Sequence, residues 1–85
     1  MDKQEAIDLI NTLEVLDYEA DGEALYYANV DLNSKTIGVL KSLGYSEEWI
    51  HKNAISDSEF DLTNIVWKYA QWWDGDKFVL ERPDY

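Results

Sequence analysis

Eighteen aspartate and glutamate side chains must be kept in water by a chain of only 85 residues, and nothing else limits its fold so strongly. Ionised carboxylates are rarely buried without a partner, and seven Lys and Arg leave a net charge of -11. Charge at this density is usual in disordered segments that are poor in apolar residues. Here 46% of the residues are hydrophobic, with four Trp, six Tyr and two Phe, so the charge is expected to coat something folded. A chain of this length has room for a single acidic domain over residues 1–85, with 82–85 expected to fray beside Pro83.

The charge is unevenly placed. Residues 1–31 hold nine acids and one lysine, a net of -8, whereas residues 32–85 hold nine acids and six cations, a net of -3. Cysteine is absent, which removes disulfides, thiolate metal sites and thiol nucleophiles together and fits a cytoplasmic protein. The acidic start Met1-Asp2-Lys3-Gln4-Glu5 lacks the basic region of a secretory signal. No apolar run approaches the roughly 20 residues needed to cross a bilayer, and an acidic surface is repelled by anionic lipid. A soluble, cytoplasmic protein is the expectation.

Helical periodicity is clearest over residues 4–17, where Ala6, Leu9, Ile10, Leu13 and Leu16 recur on one face and Ile7 widens it. Asp2 is the expected N-cap, with Glu5 in the capping-box position, and Asp21-Gly22 signals a turn. Residues 24–30 read as a strand, with Leu25 and Tyr27 facing one way and Tyr26, Ala28 and Val30 the other; continuation of the first helix is the competitor. Asp31 or Asn33 caps a second helix carrying Ile37, Leu40 and Leu43, which Gly44 closes. Ser46 opens a short third helix anchored by Trp49 and Ile50.

A fourth helix is expected from about Leu62 to Trp73, capped by Asp61, with Leu62, Ile65, Val66 and Tyr69 on its apolar face. A turn at Asp74-Gly75-Asp76 then leads to a closing strand at 77–81. Two strands cannot stand alone, so they are expected to pair under the helices. The fold class is therefore α+β, in the order α-β-α-α-α-β with a two-stranded sheet.

Catalytic and metal patterns fare poorly. Residues Asp17, Glu19, Asp21 and Glu23 occupy positions 1, 3, 5 and 7 of a calcium-loop pattern, with Gly22 at position 6. The bidentate Glu due at position 12 is replaced by Ala28, which leaves a solvated acidic turn as the simpler reading. Asp57, Glu59 and Asp61 repeat the alternation without a glycine. The sole histidine, His51, has no thiol or HExxH partner and fits a helix C-terminus instead. The four glycines are isolated, so no phosphate-binding loop is present. No enzyme activity and no cofactor are expected. Direct nucleic-acid binding is disfavoured, since Arg82 and six scattered lysines make no basic patch.

Two features remain. Asp8, Glu14, Asp17, Glu19, Asp21 and Glu23 form an acidic array along the first helix and its turn. Carboxylates three and four residues apart on a helix lie within about 6 Å, close to the roughly 7 Å between phosphates along a DNA strand. The second is an aromatic surplus, in which Trp67 and Trp73 are the candidate interface anchors. Together they suggest a small acidic inhibitor, antidote or nucleic-acid mimic that occludes a basic protein such as a nuclease. The alternative is an adaptor subunit that oligomerises through its aromatic patch, with the charge serving solubility.

Overall fold

The computed structural model describes residues 1–22 and 24–81. Among these residues four helices and five strands follow the order α-β-β-α-α-β-α-β-β in two sheets, which corrects the expected single two-stranded sheet in the order α-β-α-α-α-β. The first helix, α1 (Lys3–Ile10), opens on Asp2, whose Oδ1 accepts from the Glu5 N–H at 2.8 Å. It ends well short of residue 17. Asn11 is its C-cap, and the Thr12 hydroxyl donates to the Leu9 carbonyl, so the chain turns away before Leu13. Short polar side chains that bond locally to the backbone compete with helix continuation.

The freed residues make a strand that the helical pattern had concealed. Strand β1 (Asp17–Asp21) pairs antiparallel with β2 (Ala24–Asp31) through a two-residue connection beginning at Gly22, whose φ of 59° is open to glycine at little cost. The register shifts between Glu19 and Ala20, so Tyr26 has no residue opposite it. This bulge reverses the expected facing of Leu25, which joins Ala28 and Val30 on the buried side. Strand β2 is therefore central. Its second partner is not residues 77–81 but β3 (Glu59–Asp61), in the order β1-β2-β3.

Helices α2 (Ser34–Ser42) and α3 (Glu47–Asn53) keep the expected caps. The Asn33 Oδ1 accepts from the Thr36 N–H and the Ser46 Oγ from the Trp49 N–H. The fourth helix is only α4 (Thr63–Val66), a single turn. Beyond it, β4 (Trp72–Trp73) pairs with β5 (Phe78–Val79) as a separate hairpin. Turn chemistry overrides helical periodicity here. The Asp74 Oδ1 accepts from the N–H groups of Asp76 and Lys77, and Gly75 holds a φ of 94°.

The core gathers Ile7 and Ile10 from α1, Leu25, Ala28 and Val30 from β2, Leu40, Ile50, Phe60, Leu62, Ile65 and Val66, with Trp73 and Phe78 from the hairpin. Asn11 fastens the hairpin to α1. Its Nδ2 donates to the Phe78 carbonyl at 2.8 Å, and its Oδ1 accepts from the Phe78 N–H at 2.9 Å. The side chain thus serves Phe78 as a neighbouring strand would. No helix among the described residues is long and apolar enough to cross a membrane.

Candidate functional site

Alternation along a strand sends residues i and i+2 to one face, and residues opposite one another in an antiparallel pair share that face. Tyr18, Ala20, Leu25, Ala28, Val30 and Phe60 belong to the side turned toward the core. The other side carries Asp17, Glu19 and Asp21 from β1, Tyr27, Asn29 and Asp31 from β2, and Glu59 and Asp61 from β3. Asn29 lies between Asp17 and Asp61, and Asp31 lies opposite Glu59. Six carboxylates therefore occupy one face of a three-stranded sheet, and none of the three strands contains a lysine or arginine.

The cations lie outside these strands, with Lys35 of the second helix lining a cleft beside Asp31. Among the described residues the one ion pair joins Lys41 to Glu47 at 3.6 Å, between α2 and the start of α3. Asp61 differs from the other five acids because the fold uses it. Its Oδ1 accepts from the Ala28 N–H at 3.1 Å, the Thr63 N–H at 3.0 Å and the Thr63 hydroxyl at 2.7 Å. The expected helix cap is thus a junction between β2, β3 and α4, with Leu62 rather than Asp61 at the cap position.

The crowding of negative charge is felt by Tyr27. The Asp17 carboxylate, diagonal to it across the strand pair, raises its phenol above the ordinary 10.0, reinforced by partial burial, by Glu19 opposite and by a hydrogen bond to Asp17. Because the folded value is raised, this group's contribution to stability is complete below pH 10 and is lost as pH rises through the folded pKa. Tyr27 is expected to ionise later than a free phenol, and added salt should bring its pKa down by screening the carboxylates. Ring-carbon NMR titration, assigned with Tyr27→Phe, checks both; a salt-independent value at the free phenol's would contradict the crowding.

The residues singled out from the sequence divide into groups. Asp17, Glu19 and Asp21 come together on the sheet face. Glu23 lies outside the described residues. Asp8 is exposed on α1, where the Gln4 amide donates to it at 2.9 Å, apart from the sheet array. Glu14 follows α1 and lines a cleft with Tyr18, Trp73 and Asp76. The helical array expected to join Asp8, Glu14 and Asp17 does not form, because α1 ends at Ile10.

Trp67 is 43% exposed and meets Phe78 edge-on, with ring centroids 6.2 Å apart. Trp73 is only 4% exposed, packed between Tyr18 at 5.3 Å and Phe78 at 4.7 Å, so it serves the core. Asp31, Glu59 and Asp61 are the members of the face that the array omitted. Their signal was the alternation Glu59-Phe60-Asp61, which is that of a half-buried strand.

The calcium-loop pattern takes a different geometry. Carboxylates at i and i+2 of an extended strand repeat at about 6.7 Å, too far apart to converge on one cation with ligand distances of about 2.4 Å. No group of three or more acidic or histidine side chains among the described residues is arranged to hold a metal ion. What the face offers is an anionic surface with Tyr27 and Asn29 between its charges. Compared with family models, curated proteins and solved structures, the chain matches none of them.

Proposed function

We propose that this protein binds and occludes a basic nucleic-acid-binding protein through the open face of its three-stranded sheet. The observation that carries the reading is the gathering of six carboxylates on one face of a sheet whose three strands hold no lysine or arginine. Acids repeat at about 6.7 Å along β1, close to the roughly 7 Å between phosphates along a nucleic-acid strand, and Asp31 opposite Glu59 adds a close cross-strand pair. A groove lined with Lys and Arg for phosphates would meet similar charge here. The occlusion is steric, the carboxylates steer association, and nucleic acid competes for the same groove.

Capture from lysate after nuclease treatment, at about 50 mM and about 500 mM salt, tests the reading. A basic partner should be retained at the lower salt, released at the higher, and displaced by nucleic acid. The triple variant Asp17→Lys, Glu19→Lys, Asp21→Lys should lose at least about 100-fold in affinity with an unchanged circular dichroism spectrum. The same charge change placed off the sheet, at Glu5, Glu48 and Asp57, should cost less than about 10-fold. Equal losses in the two triple variants would reduce the effect to net charge and reject the sheet face.

A further inference from the structure

Strand β1 is the end of its sheet, and every one of its five residues is exposed. An edge strand turns the backbone N–H and C=O groups of alternate residues outward, unpaired. The opposite edge is partly closed, since the N–H groups of Ile55 and Ser56 both donate to the Glu59 carbonyl. Resting on the acidic-face reading, we propose that the free edge of β1 accepts an extended segment of the basic partner as a fourth strand, with Lys or Arg alternating with apolar residues.

Three features of the edge choose this occupant. Asp17, Glu19 and Asp21 stand on one face at every second position, so a paired strand meets them with its own alternate side chains. A second copy of this chain would set carboxylate against carboxylate, whereas a strand with cations at those positions is complementary. On the other face, Tyr18, Ala20 and Gly22 line a shallow groove with Trp72, Trp73 and Gly75, directly beside the edge. Tyr18 remains 45% exposed while its ring meets Trp73, which leaves an aromatic wall for the incoming apolar side chains. In strand addition the main chain gives affinity, and positions for alternate side chains give specificity.

The probe is a capped synthetic peptide of about ten residues alternating lysine and valine, compared with one identical but for N-methylation of every second backbone amide. Charge and side chains are then equal, and only the capacity to extend a sheet differs. The unmethylated peptide should bind the full-length protein at least about tenfold more tightly and slow amide hydrogen exchange within β1. Equal affinity, without protection of β1, would overturn strand addition while leaving charge-driven docking on the face intact. Failure of both peptides to bind at low salt would overturn strand addition and the acidic-face reading together.

Discussion

Phe60→Ala is expected to remove about 4 kcal/mol of stability, enough to leave much of the protein unfolded at 25 °C. Phe60 is 0% exposed and occupies the middle of β3, opposite Val30 on the central strand, with the Trp49 ring 6.3 Å from its own. A chain of this length has a total stability of about 4–13 kcal/mol, and its self-repulsion places it toward the lower end. Truncation would open a cavity where β2, β3 and α3 meet, in a core too small to collapse around it. Phe60→Leu, which keeps most of the volume, should cost only about 1–2 kcal/mol. Urea unfolding followed by tryptophan fluorescence distinguishes the two; an alanine variant with an unchanged midpoint would refute this account of the core.

Asn11→Ala should cost about 2–3 kcal/mol, although the residue is a small polar one at a helix end. The loss strips both backbone partners from Phe78, whose N–H and C=O lie in a partly buried position. Unsatisfied groups of that kind are more costly than the net value of the bonds they made. The effect should also be local before it is global. A hairpin of two pairs, Trp72 with Val79 and Trp73 with Phe78, cannot persist unsupported. Amide exchange in Trp72–Val79 is therefore expected to accelerate more than exchange in β2 and β3. A uniform acceleration across the chain would mean that Asn11 does not act as the fastening between hairpin and α1. Asn11→Asp retains an acceptor for the Phe78 N–H but loses the amide donor, and should fall between wild type and alanine.

Chemistry confined to a few neighbouring residues was legible in the sequence. Asp2, Asn33 and Ser46 cap their helices through the N–H three residues on, and Gly44 follows α2 with a φ of 102°. Both acidic strands were visible as alternation but were shorter than the patterns competing with them. Asp17-Tyr18-Glu19-Ala20-Asp21 resembled an ion-binding loop, and Glu59-Phe60-Asp61 a joint before a helix. The stripe from Leu62 to Trp73 joined two different elements, because Ile65 and Val66 belong to one helical turn and Trp72 and Trp73 to a strand. What ends α1 is only partly local: Thr12 bonds back to Leu9, but Asn11 finds its partners 67 residues away. The acidic face has the same origin. It exists because β2 pairs on one side with β1 and on the other with β3, which a local periodicity cannot specify.

The carboxylates on β1 have a consequence for solubility as well as for recognition. An exposed edge strand is a template for pairing with other chains, and its unpaired backbone groups make it an aggregation hazard. Asp17, Glu19 and Asp21, at alternate positions along that edge, oppose such pairing by repulsion between like charges. That guard is electrostatic, so it weakens as salt shortens the Debye length to about 3 Å at 1 M. Light scattering of the protein alone should therefore show self-association rising with salt.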